Sequence, residues 1–436
     1  MLNWIWLGMV LAAVLIAGST GRMEAIATGA VKGAETAVTI AIGLIGIMTV
    51  WMGIMRLAER SGFVHLIARV MRPVLRWLFP EVPHDHPAMG SMVMNIAANM
   101  LGLINAATPL GLRAMRDLEK LNPHPGTATN AMCTFLAINT GSVQLIPITA
   151  IGVLAAAGSV APYSIVGTAL LATCFSSAAG LIAVKTFEKM RVFCAEPSTQ
   201  VTEDVAKTAE IKDEIQITPE REPLKLWKRV AIAAFVSFFV WAIYRMAFGM
   251  VPADDTRNDF VRVVDAVSKS AIPFLLVFFP LFAALKGVKV YEELVEGGKE
   301  GFHVAIRIIP YLVMILLAIF MLRESGGITL LTQAVRPVLD AVGFPPDLMP
   351  LALMRPLSGS GSLGIFTEMV KEFGPDSLVV RMAGTIYGST ETTFYVIAVY
   401  FGAVGIKRTR HAIPAGLIAD LAGVIASVII CRMMFG

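Results

Sequence analysis

Apolar residues run along this chain in blocks of membrane length. A hydrocarbon layer of about 30 Å needs roughly 20 apolar residues in a helix, and Thr36 to Met55 supplies an uncharged run of that size. Ala131 to Val184 contains no charged residue at all, and the turn-forming stretch ending at Pro162 predicts two spans back to back. Further spans are predicted over 227–250, 268–289, 303–322, 378–405 and 411–433. Trp4 to Gly18 reads as a retained first span, because it lacks the basic flank of a signal peptide. The pattern predicts an all-α integral membrane protein of about nine transmembrane helices.

Composition agrees. Of 436 residues, 56% are hydrophobic and 16% charged, and the mean hydropathy is +0.71, which excludes a soluble multidomain chain. The net charge of +4 has no concentrated basic face, so nucleic acid is not an expected partner. The position of the charge carries more information. With the N-terminus inside, the predicted cytoplasmic loops hold 24 Lys and Arg and the outer segments 11, the bias expected of a multi-pass protein of the bacterial cytoplasmic (inner) membrane. Cys133, Cys174, Cys194 and Cys431 form no CxxC pair and read as core fillers. The one long polar stretch, Thr186 to Leu226, reads as a cytoplasmic linker with a short amphipathic helix near 202–216.

The chain contains an internal repeat. Ser61–Arg76 laid over Ser325–Asp340 without a gap gives seven identities in sixteen positions, including Ser61/Ser325, Gly62/Gly326 and the run Arg72–Leu75/Arg336–Leu339. The layout around each copy repeats too: a span, a SerGly turn, a helix with ArgProValLeu, a segment interrupted by small polar residues, then more spans. Five crossings separate the span at 36 from its equivalent at 303, and an odd number puts the copies in opposite orientations. Two inverted repeats are therefore predicted, over 36–184 and 303–433. Residues 1–185 and 227–436 form two membrane halves joined by linker 186–226. In secondary transporters of this architecture the site lies between the repeats, on broken helices.

Two segments are too short to cross twice and too apolar for ordinary loops: Pro87–Gly111 and Pro350–Phe366. Both read as re-entrant helical hairpins, whose irregular backbone survives at membrane depth only against protein or a water-filled cavity. Asn95, Asn99, Asn105 and Thr108 in the first, and Arg355, Ser358, Gly359, Ser360 and Ser362 in the second, supply donors and acceptors for a solute. Close helix packing by small residues is the alternative reading. The following spans add Asn139, Thr140 and Gln144, and then Ser389, Thr390, Glu391 and Thr392. Glu391 inside a span is a candidate proton or cation relay or substrate partner, with a purely structural carboxylate as the alternative. Asp420 and Arg355 complete a buried charge set whose pairing the sequence leaves open. The Arg69, Arg72, Arg76 stripe reads as a snorkelling interfacial face. His84, Asp85 and His86 sit in a loop without further ligands and read as solvated, so no metal or cofactor is expected. Walker, HExxH and GxSxG motifs are absent, which argues against an enzyme.

Leu78–Gly90, Asn99–Gly111 and Ala131–Thr140 resemble spore maturation protein A, whereas Pro350–Ser362, Gly374–Ser377 and Gly388–Tyr395 resemble spore maturation protein B. The chain is similar to a fusion of the two, over nearly all of it except the 186–226 linker. Both belong to the group with a nucleoside recognition, or gate, domain, found also in concentrative nucleoside transporters and in the membrane part of the ferrous iron transporter B. The resemblance implies a transport fold with hairpins, by analogy of fold. The expected function is transport of a small polar or anionic solute by alternating access. The bilayer is one partner, and a coupling proton or sodium ion and a homo-oligomeric state are admitted. The alternative is a non-transporting structural or regulatory membrane protein.

Overall fold

The structure, a computed structural model, describes residues 2–83, 85–102, 104–142, 144–193, 225–249, 258–341 and 343–436. The predicted amphipathic helix near 202–216, Cys194 and His84 lie outside the described residues, as does the side chain of Asn105. Among the described residues there is no strand, only one isolated bridge between Thr127 and Arg408.

The first half runs α1 (Leu2–Thr20), α2 (Met23–Arg60), α3 (Phe63–Leu78), α4 (Pro87–Met100), α5 (Ile104–Glu119), α6 (Asn130–Gly141), α7 (Ile148–Ala156) and α8 (Ile165–Phe187). After α9 (Leu226–Tyr244) and α10 (Asp259–Leu285), the order of α2 to α8 recurs. It becomes α11 (Val290–Glu324), α12 (Gly327–Ala341), α13 (Met349–Met354), α14 (Gly359–Phe373), α15 (Leu378–Ser389), α16 (Thr393–Gly402) and α17 (Ala412–Phe435). The SerGly turns are equivalent in detail. Ser61 and Ser325 are buried and each hydroxyl donates to the carbonyl three residues back. Gly62 and Gly326 follow at φ +77° and +86°, a region a side chain would strain.

Among the described residues, six helices are long and apolar enough to cross a membrane: α2, α8, α9 (with the turn that follows it), α10, α11 and α17. The chain is thus a multi-pass helical membrane protein. α1 is a shorter apolar helix. The two remaining predicted spans are not continuous. The one beginning at Ala131 is broken between α6 and α7, and that over 378–405 between α15 and α16. A half-helix of 12 residues reaches about 18 Å, so each pair needs both members to match a bilayer. The two predicted hairpins are helix pairs, α4–α5 and α13–α14, longer at their C-terminal ends than the sequence indicated.

α2 and α11 pack antiparallel along most of their length, since Gly33 meets Leu316, Met48 meets Gly301 and Leu294 meets Gly53. Glycine allows this because its hydrogen leaves room for the partner backbone. Loops tie the repeats at both ends. Lys407 N–H and Arg408 N–H donate to the Gly126 carbonyl, while Ser159 Oγ donates to Asp376. Two cores result, and each draws on both halves. One gathers the α4–α5 hairpin, most of α6 and Val396–Phe401 of α16, and the other gathers α14, Ala150–Leu154 of α7 and Val380–Ile386 of α15. Cys133 and Cys431 are buried as expected, but Cys174 is exposed on α8, because the outward face of a span needs no inward packing.

Candidate functional site at two crossing helix breaks

Each helix break leaves backbone groups without helical partners, and the two breaks meet. The Glu391 N–H, in the break between α15 and α16, donates to the Thr140 carbonyl at the end of α6 at 2.8 Å. Each break is also held by the hairpin of its own repeat. Leu145 N–H donates to the Met100 carbonyl at the α4–α5 tip, and Phe394 N–H donates to the Pro356 carbonyl at the α13–α14 tip, both at 3.0 Å. Gln144 sits against Gly102 of the first tip, and Thr392 against Gly359 of the second.

The breaks differ in how they satisfy their helix ends. α6 stops at Ser142, whose φ of +33° turns the chain out of the helix. Its last carbonyls accept hydroxyls from α8: Thr173 Oγ1 reaches Gly141 at 2.9 Å and also Ser142, and Ser177 Oγ reaches Gly141 at 3.0 Å. In the second break the satisfying groups are charged. Arg355 donates through Nη2 to the Thr390 carbonyl, the C-cap of α15, and through Nη1 to Thr392 Oγ1 at 3.3 Å, with its guanidinium 4.9 Å from the Tyr387 ring centre. Thr393, the first residue of α16, donates its hydroxyl to Asp420 Oδ2 at 2.5 Å. A cation thus faces a helix C-terminus and an anion a helix N-terminus, the favourable sense of the helix dipole.

Arg355 and Asp420 are 4% and 3% exposed, and each retains an unbonded atom, Nε and Oδ1, as does the neighbouring Thr390 Oγ1. Buried polar atoms are nearly always paired, so three unpaired ones around one break mark polar capacity that the chain leaves open. Among the described residues, Arg355, Asp420 and Glu391 form no ion pair with one another. Glu391 is half-buried and its carboxylate has no hydrogen-bond partner there. The charge set is assembled but unpaired.

The predicted residues divide accordingly. Asn139 and Thr140 are buried at the end of α6, and Asn99 Nδ2 donates to Asn139 Oδ1 at 2.8 Å, joining the first hairpin to the break. Ser358 caps α14 by accepting Gly361 N–H at 3.0 Å, and Ser360 lies 3.3 Å from it. Gly359, Gly361 and Gly364 spell GxGxxG, but no strand precedes them and they open α14 instead. Ser389 and Ser362 bond back to their own helices. Asn95 lies deeper in the hairpin, donating to the Ala107 carbonyl at 2.7 Å and to Tyr400 Oη at 3.3 Å, and Thr108 is half-buried on α5. His86 caps α4 through the Ala88 N–H, a structural role. Among the described residues no three His, Cys, Asp or Glu converge as a metal site. Thr173 and Ser177 went unpredicted, although two hydroxyls four residues apart in an apolar span are a readable signal.

The nucleoside recognition family, Gate, matches residues 41–158 and 305–407, the stretches that carry α3 to α7 and α12 to α16. Spore maturation protein B of Bacillus subtilis (strain 168) is 45% identical over 176 residues, which are 40% of this chain and 99% of that protein. Spore maturation protein A of the same organism is 42% identical over 182 residues, 42% of this chain and 93% of that protein. Among solved structures, that of Neisseria gonorrhoeae MtrF, described as illuminating a class of antimetabolite efflux pumps, is similar at 16% identity and a TM-score of 0.48, covering 93% of this chain and 83% of that one. Similar to spore maturation proteins A and B, each over part of its length, this chain belongs to the nucleoside recognition, Gate, family.

Proposed function

We propose that the protein transports a small polar or anionic solute across the bacterial inner membrane, by alternating access between two inverted repeats with nine crossings and two re-entrant hairpins. The carrying observation is the meeting of two helix breaks, each bonded to its own hairpin tip, around unpaired polar atoms of Arg355, Thr390 and Asp420. Arg355 offers a cation to an anionic group, and the hydroxyls and amides of Asn99, Gln144, Ser360 and Thr392 offer neutral bonds. Glu391, half-buried and unpaired, is the group for a coupling proton or sodium ion. Nucleosides belong among the solutes to try, because the family is described by their recognition.

Comparing metabolites in deletion and overexpressing cells selects the solute. Counterflow of that labelled solute in proteoliposomes then tests transport. Exchange by the unmodified protein supports the reading, and loss of pH-driven accumulation with exchange retained in Glu391→Gln assigns that carboxylate to coupling. A folded protein without counterflow for nucleosides, carboxylates or amino acids instead favours a structural or regulatory role.

A further inference from the structure

The repeat produces two related cavities that differ in charge. The first, of about 400 Å³, lies between α3 and the α4–α5 hairpin, and the second, of about 520 Å³, between α12 and the α13–α14 hairpin. In the repeat alignment Arg69 stands where the second copy has Gln333, and Arg72 corresponds to Arg336. The second cavity has three carboxylates in its wall, Asp347, Glu368 and Glu372, and Arg323 pairs with the last two at 3.2 and 2.9 Å. The first has no carboxylate in its wall and four basic side chains: His65, Arg69 and Arg72 from α3, and Arg113 from α5. The neighbouring Asp117 already accepts Lys120 Nζ at 2.8 Å and Ser91 Oγ at 3.3 Å. His65 and Arg69 also interact within the chain, so among the described residues the open positive charge falls to Arg72 and Arg113.

α3 presents three faces. Val64, Ala68, Leu75 and Leu78 are buried against the protein. Leu66, Val70, Val74 and Trp77, spaced four, four and three residues apart, are exposed at 43, 67, 46 and 78%. Arg69, Arg72 and Arg76 fall between these two by helical geometry. A ligand matching that order carries an anion beside an apolar tail. We propose that the cavity between α3 and the first hairpin binds the phosphate of an anionic phospholipid, with Arg72 and Arg113 on the headgroup and the acyl chains passing Arg69 to Leu66 and Trp77, the part of the exposed apolar face nearest the arginine stripe. Arginine suits phosphate because its planar fork donates two parallel bonds, and basic pockets beside membrane helices bind such headgroups. A free phosphate would use the arginines but leave the apolar face unexplained. The site is independent of the transport reading.

The test uses the full chain purified in a neutral detergent. Native mass spectrometry should show phosphatidylglycerol retained in preference to phosphatidylcholine of the same chain length. Arg72→Gln with Arg113→Gln should weaken phosphatidylglycerol binding by about tenfold or more, whereas Arg336→Gln in the related cavity should not. On the unmodified chain, short-chain phosphatidylglycerol should raise the unfolding midpoint while phosphatidylcholine and millimolar inorganic phosphate do not. Equal stabilisation by both lipids, the same shift from inorganic phosphate alone, or undiminished lipid binding by the double variant would each overturn the proposal.

Discussion

Arg355 and Asp420 are placed by helix ends rather than by each other. A carbonyl at the C-terminus of α15 and a hydroxyl at the N-terminus of α16 are their partners, so Arg355 caps a backbone carbonyl directly, whereas Asp420 acts through the side chain of Thr393. Arg355→Gln removes a charge-assisted donor, which costs about 1.5–3 kcal/mol. A lower unfolding midpoint together with lost solute exchange is expected, while Arg355→Lys should recover the midpoint in part, and calorimetry beside a counterflow assay checks both. A second residue acts outside the membrane segments. Burial pushes the carboxyl of Asp376 up, but bonds from Ser159 and Val160, with Arg381 nearby, outweigh it and hold its pKa below the ordinary range. A pKa lower in the folded state means stability present above the unfolded value and lost as pH falls through the folded one. The unfolding midpoint of the unmodified protein should therefore fall more on acidification than that of Asp376→Asn, and matching slopes would remove Asp376 as a pH-dependent tie.

At the scale of elements, the antiparallel contact of α2 with α11 depends on residues that have no side chain to move. A Cβ at Gly301 would lie 2.4 Å from the Met48 carbonyl oxygen and one at Gly33 2.8 Å from that of Leu316. Gly301→Leu should destabilise by about 1–3 kcal/mol or more, as overpacking does, and Gly46→Leu, on the open side of α2, should be nearly neutral in the same unfolding assay. The long helices and the SerGly turns were legible because hydropathy and glycine turns are local signals. The breaks were not. Gly141 and Pro147 flank the first, but ThrGluThr in the second contains neither, and averaged hydropathy joins both into spans. Distant backbone, the carbonyls of Met100 and Pro356, holds these breaks, and no local window contains it.

At the scale of the whole molecule, the repeat could be read from sixteen aligned positions, and candidate site residues could be named because they are polar in apolar surroundings. Their grouping could not, since it follows from how the two halves interlock. The expected division into a first and a second membrane half follows the chain but not the packing. Each core borrows a half-helix, α16 in one and α7 in the other, from the opposite half. Each half therefore contributes to an interior that the other completes, and the two are expected to fold together rather than separately. Fragments 1–210 and 211–436 made together should copurify as one complex, while either made alone should be degraded or aggregate. A stable, monodisperse fragment on its own would contradict this. The relatives give the test a natural form: spore maturation proteins B and A match 40% and 42% of this chain over 99% and 93% of their own lengths, so a break in the chain near its middle leaves two pieces that each correspond to a separate polypeptide.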